Sequence, residues 1–253
     1  MACDLKRRFG GTQVLYGEAA FTRFQAAHVV VAGVGGVGSW AAESLVRTGV
    51  GKLTLIDMDV VSESNTNRQL PALEPAFGEL KTEVLRARFL QINPELQIQI
   101  RDAFVDKDNC AELLAGGVLG APDVVLDCVD DGHAKLAMAL YCRFNKVPLV
   151  VAGGAGGKVD PGKIQVSDLA KTTEDPLLAR LRRRLRDAGV NRQLKENFGI
   201  QCVYSVETLK RSGDAAARLA CGGFGSSVVV TASVGMRMAA LALERLSGSR
   251  PKT

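Results

Sequence analysis

The chain predicts an α/β fold, a doubly wound and mostly parallel sheet, on three observations. Short apolar runs alternate with longer stretches whose apolar residues recur at helical spacing, as expected of strands buried on both faces and joined by crossover helices. A glycine-rich turn, Gly33, Gly35, Gly36 and Gly38, stands between the first such run and the first helical stretch. Acidic residues close two further runs, at the strand ends where an open parallel sheet gathers its ligands. With 253 residues, 47% of them hydrophobic, the chain can build the core of one large domain.

In chain order, strands are expected near 28–33, 52–57, 97–104, 123–128 and 148–152. Helices are expected over 37–48 and 79–92, the second stopped by Asn93-Pro94, and over 132–145. A second glycine-rich turn follows in PLVVAGGAGG. The stretch 158–222 is polar, basic and weakly periodic, and reads as an irregular C-terminal insert or a mobile loop. Residues 224–243 are apolar enough to raise a membrane span, but Arg237 and several Ser and Thr residues lie within them. A charge at midspan costs a few kcal/mol, so a buried or interface terminal helix is the expectation. A soft boundary near 157 divides a nucleotide-binding part, 1–157, from a substrate-side and dimerisation part, 158–253, inside a single domain spanning 1–253.

The net charge of +5 favours anionic partners without naming one. Six cysteines, Cys3, Cys110, Cys128, Cys142, Cys202 and Cys221, show no CxxC spacing, so no zinc site and no thioredoxin-like pair is expected. They fit reduced thiols of a cytoplasmic protein, and MACDLKRRFGG lacks the apolar segment of an export signal.

Gly33, Gly35 and Gly38 form GxGxxG with Gly36 inside the turn, which lets the backbone and a helix N-terminus approach a phosphate. Asp57, about 20 residues on, is placed to accept from a ribose hydroxyl, and Asp59 projects to the same side if the strand continues, or caps a turn. Those features suit NAD and ATP equally, and together they make the fold Rossmann-like. Asn65, Asn67, Arg68 and Lys81 separate the two. Hydride transfer needs no cations after the second strand, whereas nucleotidyl transfer needs them around the α-phosphate and the departing pyrophosphate. Arg68 can clamp phosphates bidentately and Lys81 can bring a point charge. In VVLDCVDDGH, Asp130 is the better candidate for holding Mg²⁺ on the phosphates, while Asp127 reads as a metal candidate or a strand-end residue.

GVGGVGS, LTLIDMD, SNTNRQ and DCVDD, in that order, resemble the ubiquitin-activating-type (E1-like) adenylating family, over most of 8–157. RFGGTQVLYG, YCRFNKVPLV, GGAGGKVDPGKIQVSDLAKT and CGGFGS extend the resemblance to the tRNA-modifying dehydratases of that family. The resemblance implies ATP and Mg²⁺ as cofactors and an acyl-adenylate intermediate. It implies Gly36 at the phosphate turn, Asp57 on the ribose, Asn67, Arg68 and Lys81 around the phosphates, and Asp130 at the metal. Arg8 matches an arginine that reaches the ATP of the other subunit, so a homodimer is implied. The implied reaction is dehydration, by cyclisation, of N6-threonylcarbamoyladenosine at position 37 of tRNA, with a cysteine desulfurase or sulfur-acceptor system as a further partner.

The alternative within the family is an adenylyltransferase for a ubiquitin-like sulfur-carrier protein, which the missing CxxC pairs disfavour. A non-catalytic nucleotide-binding adaptor is a third reading, and an NAD dehydrogenase rests on the glycines alone. Cys221 reads as a thioester-forming thiol or a buried structural one. The basic run with Arg180, Arg182, Arg183, Arg184, Arg186, Arg192 and Lys195 reads as an RNA phosphate contact or a solvated helix face.

Overall fold

A computed structural model describes residues 4–191, 197–208 and 224–248. Two helices open the chain, α1 (Leu5–Tyr16), capped by the Asp4 side chain, and α2 (Glu18–Ala26). The motif region follows as β1 (His28–Ala32), α3 (Gly38–Arg47), β2 (Lys52–Ile56), α4 (Lys81–Ile92) and β3 (Gln97–Arg101). Next come α5 (Cys110–Leu114), β4 (Val124–Asp127), α6 (Gly132–Phe144) and β5 (Leu149–Ala152). The chain continues through β6 (Ile164–Asp168), α7 (Pro176–Asp187) and β7 (Gln201–Ser205) to α8 (Val228–Leu246).

One seven-stranded sheet results, in the order β3-β2-β1-β4-β5-β7-β6, parallel except for β6 against β7. The order reverses between β1 and β4, which opens a crevice at their carboxyl ends. β1 is buried at every position and alternates its faces. Val29 and Val31 join a core with α2, α3, α4 and α8, while Val30 and Ala32 join one with α5, α6 and α7.

The expected strands are present, but β3 stops at Arg101, and Ala103, Phe104 and Val105 line the crevice instead of extending the strand. The 158–222 stretch holds more regular structure than an irregular insert: β6, α7 and β7 all lie within it. β7 was missed because QCVYS is a short strand buried between β5 and β6, with no period-2 signal to read. α1 and α2 lie ahead of the first element expected from sequence.

The terminal helix α8 is a core element. It packs most densely on α3, where Gly235 lies so close that a Cβ would overlap the Val37 carbonyl oxygen. No helix among the described residues is long and apolar enough to cross a membrane.

Candidate active site

The crevice has a volume of about 850 Å³ and is bounded by the ends of β1, β2, β4 and β5 and by the first turn of α7. Its floor is the glycine turn. Gly33 sits at φ +80°, and a Cβ at Gly38 would overlap the Gly33 carbonyl oxygen, so both positions demand glycine. That closeness sets α3 against β1 and leaves Gly33, Gly35 and Gly36 lining the cavity.

Asp57 is buried beside the turn. Its Oδ2 accepts from Val34 N at 2.8 Å and its Oδ1 from Asp59 N at 2.9 Å, which fixes the carboxylate while leaving lone pairs for a ribose. The Asp59 carboxylate accepts from Lys81 Nζ at 2.7 Å, and both residues face the cavity. Lys81 is buried as the first residue of α4, an expensive place for an ammonium unless an anion meets it.

Asn65 and Arg68 also line the crevice, with Arg68 Nη1 donating to Ser64 O at 2.9 Å and Asn67 Oδ1 at 3.0 Å. Asn67 stands behind this wall. Its Nδ2 donates to Ser226 O at 2.9 Å, tying the motif to the start of α8. Gln69, which sequence reading passed over, lines the cavity with its Oε1 buried and unpartnered.

Asp130 and Asp131 stand on the crevice wall after β4. Asp131 caps α6, and the N–H groups of Ala134 and His133 hold its carboxyl below the usual carboxylate range. The exposed Asp130 carboxylate has no hydrogen bond or ion pair with a described residue, so its oxygens are available as hard donors. No three His, Cys, Asp or Glu residues gather as a metal site among the described residues. That donor set fits Mg²⁺, which takes one or two carboxylates and completes its shell with phosphate oxygens and water.

Asp127 is not a ligand in this arrangement. It lies fully buried under the floor, where its Oδ1 accepts from Lys135 Nζ at 2.9 Å, and Lys135 also donates to Ala152 O at 2.9 Å. Burial pushes the Asp127 carboxyl up, against the pull of Lys135.

Arg8 stands elsewhere within the protomer. Its Nη1 donates to Gln91 O and Ile92 O, at the end of α4 remote from Lys81, roughly 16 Å along that helix.

Sequence reading missed Lys158 and Asp175, both on the crevice wall. Lys158 is 2% exposed, its ammonium held by the carbonyl oxygens of Glu174, Ser205 and Glu207, and burial lowers its pKa. Asp175 Oδ2 accepts from Gly154 N at 2.8 Å and Oδ1 from Leu178 N at 3.0 Å. The Asp-Pro pair that opens α7 was the available signal.

The four described cysteines are free thiols. Burial pushes Cys110 up to about 11 and Cys142 up to about 12, and raises Cys128 and Cys202 as well, so none is a ready thiolate. Cys3, Cys221, Arg192 and Lys195 lie outside the described residues.

A glycine turn at a sheet switch point, an acid at the end of β2 and two cations beyond it define a nucleotide-binding α/β protein built to handle phosphates. The ThiF family pattern matches residues 11–253, and the chain belongs to that family. It is 46% identical to the tRNA threonylcarbamoyladenosine dehydratase of Escherichia coli, over 95% of this chain and 94% of that protein. The enzyme of that name from Haemophilus influenzae is 40% identical over 96% of this chain and 94% of its own length. Crystal structures of the E. coli dehydratase, TcdA, superpose with TM-scores of 0.88 for the AMP complex and 0.87 for the ATP complex. Each is 47% identical to this chain and covers 96% of it and 95% of the E. coli chain.

Proposed function

We propose that this protein is an adenylate-forming enzyme that dehydrates N6-threonylcarbamoyladenosine at position 37 of tRNA, using ATP. The observation that carries the reading is the presence of Arg68 and Lys81 beyond a glycine turn that lines the same crevice, in a chain 46% identical to the E. coli dehydratase. Such cations stabilise charge that develops during nucleotidyl transfer. The alternative, an adenylyltransferase for a sulfur-carrier protein, is the weaker one, since the sequence has no CxxC pair.

In this reading the turn at Gly33–Gly38 and the N-terminus of α3 cradle the phosphates, and Asp57 takes the ribose. Lys81 shares its ammonium between Asp59 and the α-phosphate, and Arg68 holds the departing pyrophosphate. Asn65 and Asn67 shape the loop that presents Arg68. Asp130 is the residue that holds Mg²⁺, which supplies charge neutralisation to the phosphates when bound.

A carboxylate oxygen of the threonyl group attacks the α-phosphorus, and pyrophosphate leaves. The mixed anhydride turns a poor leaving oxygen into a good one. A neighbouring group of the same modification then attacks the acyl carbon, AMP departs, one proton is lost, and the ring closes with net loss of water. The protein's work is to adenylate and to position.

The same proposal makes the chain one adenylation domain, 1–253, that acts in the cytoplasm as a homodimer. In that dimer Arg8 of each subunit reaches the ATP of the other, and a sulfur-transfer system remains a candidate partner. Nucleoside mass analysis of threonylcarbamoyladenosine-containing tRNA, incubated with the protein and Mg-ATP, tests the activity. Loss of one water is expected with wild type, and none without ATP or with Lys81→Ala; an unchanged mass with wild type refutes the proposal.

A further inference from the structure

The arginines of α7 are not one basic face. Arg182 Nη1 donates to Leu169 O and Thr172 O, each at 3.0 Å, and to Thr172 Oγ1 at 2.7 Å. Arg184 Nη2 meets His133 Nε2 at 3.2 Å, and the Arg186 guanidinium lies 5.6 Å from the centre of the Phe198 ring. These three hold the fold together. Arg183 is exposed and does not line the crevice.

Arg180 is different. Its side chain lines the crevice and makes no hydrogen bond or ion pair with any described residue. The other cations on the crevice wall are engaged: Lys81 with Asp59, Lys158 with three carbonyls, and Arg68 with Ser64 and Asn67. The start of α7 is also fastened to the crevice. Asp175 bonds Gly154 N and caps the helix, and Lys158 ties the neighbouring Glu174 carbonyl, so Arg180, one turn on, is carried by a fixed support.

Adenylation must bring a carboxylate against a phosphate, two anions that repel, inside a crevice whose wall already carries Asp57, Asp59, Asp130, Asp131 and Asp175. Arg68 and Lys81 approach from the β2 side, next to the glycine turn; Arg180 approaches from beyond β5. We propose that Arg180 is a specificity-determining residue that holds an oxyanion of the acyl substrate: the threonyl carboxylate or the phosphodiester beside the modified nucleoside. The proposal rests on the dehydratase reading above. A planar fork suits either anion, and its bidentate geometry would orient the group as well as attract it.

The test compares wild type, Arg180→Ala, Arg180→Lys and Arg183→Ala in steady-state dehydration of modified tRNA, with ATP affinity measured by calorimetry on a non-hydrolysable analogue. Arg180→Ala is expected to lower kcat/KM for the tRNA by about 10- to 100-fold, the value of one charge-assisted contact, with ATP affinity and melting temperature unchanged. Arg180→Lys keeps the charge and should recover part of the loss. The salt dependence of kcat/KM separates the two anions. If Arg180 holds a phosphodiester, the log–log slope shrinks by about 0.7 in Arg180→Ala, whereas a carboxylate leaves it unchanged. Unchanged kcat/KM, an equal loss of ATP affinity, or an equal defect in Arg183→Ala would each overturn the assignment. A wild-type protein that removes no water from the substrate refutes the dehydratase reading itself, and the assignment falls with it.

Discussion

Replacing Lys135 with methionine keeps the length of the side chain and removes a charge from directly beneath the crevice floor. Lys135 and Asp127 are both fully buried, 2.9 Å apart, and the same ammonium reaches Ala152 O at the end of β5. At that distance the Coulomb attraction is about 6 kcal/mol for an effective dielectric of about 20, most of it offset in wild type by the cost of burying both ions. Lys135→Met removes the attraction and leaves the cost of burying the Asp127 carboxylate unopposed. Asp127 Oδ2 already has no partner, so only Val129 N, 3.2 Å from Oδ1, is left to meet the orphaned charge. Burial pushes this carboxyl up even with Lys135 present, so the variant folds with Asp127 protonated.

Holding a proton on a free-solution aspartate of pKa about 3.9 costs about 4 kcal/mol near pH 7, which caps the penalty, with about 1 kcal/mol more for the Ala152 carbonyl. The sign follows from proton uptake: the folded variant binds one more proton than its unfolded chain. Its stability therefore falls by about 1.4 kcal/mol for each unit of rising pH above the free aspartate value. Urea denaturation at several pH values measures this, and the double variant Lys135→Met, Asp127→Asn should remove the pH dependence and most of the loss. A penalty below about 1 kcal/mol, or one that does not change with pH, would sink the argument that the pair is an isolated charge couple.

Gly235→Ala places a Cβ against the Val37 carbonyl where α8 meets α3, and should cost about 1–3 kcal/mol and lower Tm by several degrees in calorimetry; an unchanged Tm would mean that α3 and α8 are not locked. His28 is buried, with Nδ1 against Gly120 O and Nε2 against Thr54 Oγ1, and burial above all lowers its pKa, so the folded state keeps it neutral. Its contribution is therefore complete above the unfolded-state value of about 6.5 and is lost as the pH falls below it, a slope that His28→Gln should remove from the pH dependence of the urea midpoint. Asp130→Asn should raise the Mg²⁺ concentration needed for half-maximal turnover by about tenfold or more, while leaving the melting curve in EDTA unchanged; an unaltered Mg²⁺ requirement would remove Asp130 from the metal.

The sequence alone determined the sheet that carries the crevice, because β1, β4 and β5 are built on apolar runs, β2 sets Leu53, Leu55 and Ile56 around Thr54, and Gly33 and Gly38 stand where backbone must approach backbone. Local chemistry of that kind is written in residue type and spacing. It also marked Asp57, Arg68, Lys81 and Asp130 as candidates, and all four line one cavity.

What the sequence could not decide was which of two similar groups faces the ligand. Asp127 and Asp130 are three residues apart, yet a strand end turns the first under the floor against Lys135 and leaves the second on the wall. The arginines of α7 look equivalent in ARLRRRLR, but helical rotation assigns Arg182 to backbone carbonyls and Arg180 to the crevice. β7, Lys158 and Asp175 were illegible for the same reason: their partners, β5, the Glu207 carbonyl and Gly154, lie tens of residues away in sequence. Only the closing of the chain into one sheet brings these groups together, because burial and long-range hydrogen bonding depend on neighbours in space rather than in sequence.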